Sequence, residues 1–434
     1  MASRTQKLTP CRLWLNIHVY VGLAAGFFFA LLGLTGSLSM YRQALDEVLN
    51  PQLVIENPQD KPQNLDKIFA NIRLAHPSRH GEWELEMPKS QDEMITAWYD
   101  NPHETFGEYY APLMVSVNPY TAEVVASRFW GHTFSTWMYN LHTQLLMGTF
   151  GARTVGIFGL GLIASCLSGL YLWWPRNLAS LRSLLGIQHR QGISRFAYDL
   201  HKLIGAFSFP LLLLLAFTGF HLAVPTFLET IVDAPGMRHG EVGQTIRSTA
   251  VPNQHPVSLE EAVTIARGLF PHAEIRRVAT PAGEDGTFRV NLRRPKDINI
   301  RHPLTMVWID RWSGQIREVR NPNKFSLGQK FISTLWPLHT GESFSLIGRQ
   351  LWFIIGLAPS WLFISGLLQW LVKHEIIENH PINLIKLNQT LVKAAKATQY
   401  TTNKFLSYLL ALGIWIAHQV PSLLAWIKSR VTDK

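Results

Sequence analysis

Long apolar runs alternate with long mixed segments along the chain. Four runs exceed the roughly 18–20 residues that a helix needs to cross a bilayer, and they occupy residues 13–40, 145–174, 203–224 and 344–372. They predict four membrane-spanning helices. The first run is too long for the core of a cleavable signal peptide, so we expect it to be retained. A fifth run, residues 405–427, is interrupted by His418, Gln419 and Pro421, and it is either a further span or an interfacial helix.

The charges outside these runs predict the orientation of the spans. Arg and Lys dominate the segments before the first span, between the second and third, and after the fourth. The positive-inside rule places all three segments in the cytoplasm, so residues 41–141 and 225–338 lie outside. The net charge of +10 is mostly a consequence of this topology, and we expect no nucleic acid as a partner.

The predicted architecture is a mainly α-helical membrane protein in which each half consists of a span, an external α+β domain and a second span. The predicted segments are span one at residues 12–41, the first external domain at 42–137, span two at 142–175, a cytoplasmic loop at 176–198, span three at 199–224, the second external domain at 225–335, span four at 339–372, a cytoplasmic segment at 373–404 and the fifth apolar run at 405–427.

The two external segments share local sequence. Residues 113–125 resemble residues 305–317, and both predict a strand, a tight turn and a second strand. In the second segment, Ser258 followed by the acids Glu260 and Glu261 marks the start of a helix. Both halves begin and end in the cytoplasm, so they form parallel repeats, which are related by an axis along the membrane normal.

Two spacings between a histidine and a small dipeptide occur once in each half. The spacing of 17 residues joins His18 to Thr35-Gly36 and His201 to Thr218-Gly219, and the spacing of 26 residues joins His142 to Ser168-Gly169 and His339 to Ser365-Gly366. An ionisable side chain is costly inside a membrane, so each of these histidines is a candidate functional residue.

The predicted topology assigns the four histidines to two layers. His18 and His201 open outward-going helices near the cytoplasmic face, whereas His142 and His339 open inward-going helices near the external face. The 17 residues between His18 and Thr35 correspond to roughly 25 Å of helix, so ligand pairs form only within a layer. The sequence predicts two stacked sites, one from each pair.

Each pair has three interpretations from the sequence. The histidines are interfacial packing residues, ligands of a transition metal, or axial ligands of a haem. Haem suits the surroundings best, because it needs only two axial nitrogens and flat apolar walls. Gly22 and Gly205 each follow a histidine by four residues on the same helix face. They would let a planar macrocycle approach the backbone, although ordinary helix packing also uses glycine.

Three further residues near the external layer are candidate contacts. Arg153 and Arg349 follow their histidines by 11 and 10 residues, and they either pair with haem propionates or anchor the helices at the membrane interface. His221 directly follows Thr218-Gly219 and has no histidine counterpart in the first half. It is an accessory ligand, a propionate partner, a proton or substrate contact, or an interfacial residue without such a role.

Missing motifs exclude several other classes of protein. The two cysteines, Cys11 and Cys166, are predicted too far apart for a structural disulfide. The chain has no Cys-x-x-Cys-His motif, which excludes standard covalent attachment of c-type haem. It also has no Walker A loop and no plausible Gly-x-Gly-x-x-Gly unit, so a nucleotide-driven pump and a built-in NAD or flavin domain lack support.

The chain resembles the PepSY-associated transmembrane family over about residues 12–373. The resemblance rests on residues 14–22, 141–142, 168–176, 199–205 and 337–341, which contain the four histidines and the motifs around them. The helix that begins at Ser258 and the hairpin at residues 307–314 resemble a PepSY module, and the first external domain resembles a more divergent copy.

This family includes iron-regulated inner-membrane proteins and periplasmic ferrisiderophore reductases. The resemblance therefore implies a protein of the bacterial inner membrane with both external domains in the periplasm. It implies two non-covalent haem b groups, one held by His18 and His201 and the other by His142 and His339. The implied activity is an oxidoreductase that carries electrons outward to a ferric siderophore from an unknown donor, either a quinol or a reductase partner. Membrane lipid is the other expected partner.

Two other functions stay open from the sequence. A non-haem metal or proton transporter would use the histidines as a relay, and a PepSY-type binding or regulatory protein would use the spans only as an anchor. The aromatic residues Trp130, Trp137 and Trp336 are candidates for lining the route to the acceptor or for forming an interfacial belt.

Overall fold

The computed structural model describes residues 10–174, 192–234, 246–250 and 255–379. Within these ranges the α-helices are α1 (Pro10–Ser39), α2 (Arg42–Leu49), α3 (Leu65–Ala75), α4 (Phe134–Gln144), α5 (Gly148–Trp173), α6 (Ile193–Ala223), α7 (Pro225–Ile231), α8 (Leu259–Leu269), α9 (Leu327–His339) and α10 (Ser345–Lys373). The predicted fifth helix at 405–427 lies outside the described residues, as do most of the predicted loop at 176–198 and of the segment at 373–404.

Four of these helices confirm the predicted spans. Helices α1, α5, α6 and α10 are long and apolar enough to cross a membrane, with mean hydropathies of 1.9–2.1 in their most apolar windows. Only 11–28% of the residues in those windows are buried. Exposed apolar helices suit a bilayer, because all of their backbone hydrogen bonds are internal. The chain is therefore a multi-pass membrane protein.

The two segments outside the spans build one antiparallel sheet. Its strands are β1 (Glu84–Glu86), β2 (Ile95–Tyr99), β3 (Leu113–Val117), β4 (Val124–Phe129), β5 (Glu274–Ala279), β6 (Thr287–Arg293), β7 (Thr305–Asp310) and β8 (Ile316–Arg320), in the order β4-β3-β2-β1-β5-β6-β7-β8. Each half of the chain contributes four consecutive strands, and β1 pairs with β5 so that Leu85 lies opposite Val278.

This continuous sheet corrects the prediction of two separate external domains. If the halves were separate, β1 and β5 would each be an edge strand with unpaired backbone N–H and C=O groups. Their pairing removes both edges and joins the two hydrophobic cores. Trp83 and Leu85 from the first half and Val290 and Ile309 from the second are all fully buried in the shared core.

Helices α3 and α8 pack against the shared core and cap each other. The backbone N–H of Leu65 donates to the Glu260 carboxylate at 3.1 Å, and that of Leu259 donates to the Asp66 carboxylate at 2.8 Å. Helix α8 begins after the predicted cap Ser258, whose side chain accepts a hydrogen bond from the third helical N–H. The predicted helix start is confirmed, and the reciprocal caps bind the two repeats together.

The predicted strand–turn–strand segments are also confirmed, as β3–β4 and β7–β8. In the second hairpin, the buried carboxylate of Asp310 accepts hydrogen bonds from the N–H groups of Trp312 and Ser313, both at 2.9 Å. The Arg317 guanidinium donates to the same carboxylate. The turn is closed by Gly314 with a φ of 69°, a conformation that favours glycine.

Two short helices precede the second and fourth spans. The sequence predicts that His142 and His339 open those spans, whereas the structure places them near the ends of α4 and α9. Positive φ angles at Leu145 (49°) and Gly341 (72°) interrupt the helix in the two halves. The periodicity of apolar residues runs on through these breaks, and for this reason the sequence did not indicate them.

Candidate functional site: two histidine pairs

The structure brings the four histidines together as two pairs. The ring centres of His18 on α1 and His201 on α6 lie 6.0 Å apart, with the ring planes at 88°. The ring centres of His142 on α4 and His339 on α9 lie 6.3 Å apart, with the planes at 30°. Each pair joins one half of the chain to the other, and each lies within one of the two compact units of the fold.

Every one of these histidines uses its Nδ1 atom in a hydrogen bond to another helix of the same half. The contacts are His18 with Ser168 Oγ at 3.0 Å, His201 with Ser365 Oγ at 3.0 Å, His339 with Thr218 Oγ1 at 2.9 Å, and His142 with the carbonyl oxygen of Leu32 at 2.9 Å. The three hydroxyl residues are buried.

These contacts determine which ring nitrogen carries a proton. The hydroxyl of Ser168 donates its own hydrogen to a backbone carbonyl of α5 at 2.7 Å, so its oxygen accepts from the Nδ1–H of His18. The hydroxyls of Ser365 and Thr218 likewise donate to backbone carbonyl oxygens of their own helices, also at 2.7 Å. The carbonyl of Leu32 can only accept. All four rings therefore hold a proton on Nδ1, and the lone pair of Nε2 is available to a metal.

A glycine follows the hydroxyl residue in each dipeptide and lets a histidine ring approach the helix. A Cβ atom on Gly36, Gly169, Gly219 or Gly366 would lie 2.6–3.4 Å from Cε1 of the facing histidine. The facing histidines are His142, His18, His339 and His201, in that order. A side chain at any of these positions would press on the ring, so the close approach favours glycine.

The spacing pattern in the sequence did not show this exchange of contacts between helices. It related His18 to Thr35-Gly36 by spacing, whereas the structure places Ser168-Gly169 of α5 beside His18. A signal was present, because the two spans of one half run in opposite directions. A dipeptide near the end of one span is therefore level with a histidine near the start of the other.

The predicted glycines Gly22 and Gly205 differ from glycines that serve helix packing. A Cβ atom on Gly22 would meet no atom within 4 Å, and one on Gly205 would meet only Leu362 Cδ2, at 3.7 Å. By contrast, a Cβ on Gly26 would collide with Phe363. One turn after each histidine of the first pair, the helix surface thus has room for a flat group.

The geometry of both pairs fits a haem with two axial histidines. A metal–nitrogen bond is about 2.0 Å and a ring nitrogen lies about 1.1 Å from its ring centre, so two axial imidazoles place their centres about 6 Å apart. The observed separations are 6.0 and 6.3 Å. A metal bound by side chains alone needs more ligands, and the described part of the chain contains no group of three or more His, Cys, Asp and Glu that could hold one.

The other predicted contacts lie in different environments. Arg349 donates to the carbonyl of Met40 at 2.6 Å, and its guanidinium carbon lies 5.6 Å from the ring centre of Tyr41. It thus ties α10 to the end of α1. Arg153 is exposed on α5, and His221 is buried near the end of α6, with 4% exposure. The haem roles of these three residues stay predictions.

The fold and the paired histidines define a multi-pass membrane protein with an extramembrane sheet built from two repeats. The family model described as the PepSY-associated TM region matches residues 15–373, and the protein belongs to this family. The resemblance found in the sequence is thereby confirmed. The chain is also similar to the uncharacterized protein PA4219 of Pseudomonas aeruginosa, with 38% identity over 82 residues. The match covers 19% of this chain and 20% of that relative, about a fifth of its length.

Proposed function

We propose that this protein is a dihaem electron-transfer protein of the bacterial inner membrane that reduces ferric siderophores in the periplasm. The observation that carries the proposal is the geometry of the two histidine pairs. In each pair the ring centres lie 6.0 or 6.3 Å apart, which leaves room for one iron atom between the two histidines that would hold it, and the hydrogen bonds at Nδ1 leave Nε2 available. A simple membrane anchor would not need four histidines held in the same way.

The chain would hold two haem b groups, one between His18 and His201 and the other between His142 and His339. Haem supplies one-electron redox chemistry when it is bound. The oxygen that accepts the Nδ1–H bond makes each imidazole more basic, which is one way in which a protein sets the reduction potential. The apolar spans exclude water from the ligated side, a second influence on that potential.

The proposed reaction transfers one electron to each Fe(III) ion held by a siderophore. Fe(III) becomes Fe(II), and no bond of the chelator breaks. Hard oxygen ligands bind Fe(II) more weakly than Fe(III), so reduction releases the metal and regenerates the chelator. The electron comes from a donor on the cytoplasmic side, either a quinol or a reductase partner. The paired histidines support electron transfer by this chain, and the outward direction is what the family resemblance implies.

Spectroscopy on the purified full-length protein tests the proposal. We expect two haems per chain and a reduced spectrum that is reoxidised when a ferric siderophore is added, with one electron consumed per iron. His18→Ala and His201→Ala should remove the same spectral component, and His142→Ala and His339→Ala should remove the other. The exposed His103 provides the control, since His103→Ala should keep both components.

The same measurements separate the alternatives. Purified protein without a Soret band would favour a non-haem metal or proton transporter that uses the histidines as a relay. Histidine variants that keep full cellular function would favour a binding or regulatory protein with the spans as an anchor. If His18→Ala and His142→Ala removed the same component, the assignment of histidines to pairs would be wrong.

A further inference from the structure

One face of the extramembrane sheet carries a cluster of charged side chains. Glu84 and Glu86 flank the core residue Leu85 on β1, and alternation along a strand directs them to the opposite face from the core. Arg277 of β5 donates to both, at 2.6 and 3.3 Å, and Arg289 of β6 donates to Glu84 at 2.6 Å. Arg289 also lies 3.7 Å from Glu82, so three acids and two arginines form this cluster.

Arg42 and Arg301 add two positive charges that no carboxylate in the described part of the chain neutralises by an ion pair. The Nε of Arg42 is buried and has no hydrogen-bond partner among these residues. Burial lowers the pKa of Arg42 to about 9, and the nearby charge of Arg301 contributes to the decrease. These two guanidinium groups and Lys89 lie near Glu86, the carboxylate that Arg277 already binds. One buried carboxylate shared among four cations leaves an excess of positive charge, which favours a further anion.

Arg42 is held by aromatic rings rather than by an acid. Its guanidinium carbon lies 4.9 Å from the ring centre of Trp130 and 5.6 Å from that of Tyr139. Trp130 also contacts Tyr139 directly, with ring centres 5.3 Å apart. Tyr139 lies on α4 three residues before His142, so the two side chains share a helix face. Arg42 thus contacts the helix that carries His142, on the face that His142 shares.

The second half of the chain positions Arg301 in a comparable way. The carboxylate of Glu342 accepts hydrogen bonds from the backbone N–H groups of Ile300 and Arg301, at 3.1 and 3.4 Å. The next residue, His302, contacts Trp336 edge to face with ring centres 5.0 Å apart. Trp336 precedes His339 by three residues, as Tyr139 precedes His142. The backbone at Arg301 is thus held next to a residue that contacts the helix carrying His339, as Arg42 contacts the helix carrying His142.

We infer that Arg42 and Arg301 form a binding site for a carboxylate group between the sheet and the His142–His339 pair. A guanidinium matches a carboxylate with two parallel hydrogen bonds and keeps its charge when buried. The face of Trp130 then holds the Arg42 fork in place through a cation–π contact. The sequence suggested Arg153 and Arg349 as propionate partners. Arg153 is exposed, and Arg349 already donates to the carbonyl of Met40.

Two ligands could supply the carboxylate, and the assignment of either one rests on the proposed function. One is a propionate of a haem held by His142 and His339. The other is a carboxylate of an anionic ferric chelate that binds as the electron acceptor. In the first case the arginines stabilise the cofactor, and in the second they select acceptors by charge.

Citrate and ferric citrate are the probes for the acceptor source. We would measure their binding to the full-length protein by the shift of its thermal unfolding, which needs no haem. If the site holds an acceptor, Arg42→Gln and Arg301→Gln should each weaken ferric citrate binding by about tenfold or more. Arg42→Lys should recover part of the affinity because it keeps the charge. Arg267→Gln, a change at an exposed arginine of α8, should have no effect.

Redox titration is the test for the propionate source. In that case wild-type protein should not bind citrate, and Arg42→Gln should lower the midpoint potential of the component that His142→Ala removes. The other component should stay unchanged. The potential falls because a nearby positive charge favours the added electron. Both haem components must be present in each variant, which also shows that it has folded.

The two proposals fail in distinguishable ways. Wild-type protein without haem would overturn the proposed function, and citrate binding would still report on the arginine site. Wild-type protein with two haems, no citrate-dependent stabilisation and an unchanged potential in Arg42→Gln would overturn the carboxylate site alone.

Discussion

Each imidazole of the two pairs is positioned by one oxygen atom and one glycine of a neighbouring helix. The oxygen forms a hydrogen bond with Nδ1, and the glycine leaves room for the ring. The sequence was sufficient to predict which histidines form a pair, because charge placement and repetition predict that His18 lies level with His201 and His142 with His339. It did not predict that Ser168-Gly169 lies beside His18. That contact depends on the rotation of α5 about its own axis, and a helix that is apolar on all sides does not encode its rotation in a hydrophobic pattern.

The candidate arginines also show which contacts between single residues the sequence does not predict. Arg153 and Arg349 were selected by their distance along the chain from a histidine, which is a sound guide only within one helix. Arg42 and Arg301 lie in different halves and come together only through the fold. No local pattern marks them, so only the structure could identify them.

Gly22→Ala should separate haem binding from helix packing. In the protein alone, the added methyl group meets no atom within 4 Å. Folded stability should therefore change by no more than about 1 kcal/mol. If a macrocycle lies against this turn, the methyl group displaces it. We expect less haem per chain, measured by spectroscopy, with the loss confined to the component that His18→Ala removes.

Gly268→Ala on α8 is the matched control, because a Cβ atom there also meets nothing within 4 Å. This helix belongs to the extramembrane domain, so the substitution should leave haem content unchanged. Equal haem content in the two variants would place the macrocycle elsewhere.

At the scale of helices and strands, local chemistry was predictable and long-range pairing was not. The cap at Ser258 and the two hairpins follow from short sequence patterns, and the structure confirms them. The joint between the repeats depends on β1, a strand of three residues, and on its pairing with β5 far along the chain. Such edge pairing leaves no periodic signal, and the prediction of two domains failed at this point.

Asp310 should make the β7–β8 hairpin sensitive to acid. Burial alone would raise the pKa of this carboxyl, but hydrogen bonds from Ser313, Arg317, Thr249 and Trp312 outweigh burial and hold the pKa well below its usual range. Because the folded value is depressed, the stabilisation is fully present above the unfolded pKa of about 3.9. It is lost as the pH falls below that value.

Asp310→Asn tests this contribution. The variant should lose roughly 2 kcal/mol of the free energy of unfolding at neutral pH, because the hydrogen bonds no longer have a charged acceptor. Its stability should also decline less steeply than that of the wild type between pH 5 and 3, as measured by denaturant unfolding. Asp60→Asn, at an exposed position, should follow the wild-type curve. Parallel curves for Asp310→Asn and the wild type would show that this carboxylate does not contribute.

At the scale of the whole molecule, the single sheet supports the topology independently of the charges. Its first four strands precede α5 and its last four follow α6. Strands that pair with each other must lie on the same side of the membrane, and two crossings between them return the chain to that side. The sheet therefore requires the parallel arrangement of the halves, and the distribution of Arg and Lys then predicts which side is cytoplasmic.

Thiol labelling can test the predicted orientation, because the natural cysteines provide a low background. Cys11 is exposed near the start of α1, and Cys166 is buried in α5. Phe106 is 92% exposed between β2 and β3. We would treat spheroplasts with a membrane-impermeant maleimide before and after lysis. The wild type, Cys11→Ser alone, and Cys11→Ser combined with Phe106→Cys form the set of proteins.

Each protein has a distinct expected result. The wild type should be labelled only after lysis, because the predicted orientation places Cys11 on the cytoplasmic side. Cys11→Ser should stay unlabelled under both conditions, since Cys166 is shielded unless the protein unfolds. The double variant should be labelled in intact spheroplasts, which would place the sheet in the periplasm, where the proposed acceptor binds. Labelling of the wild type before lysis, or of the double variant only after it, would reverse the orientation. The carboxylate site of Arg42 and Arg301 would then face the cytoplasm, and electrons could not leave the cell by this route.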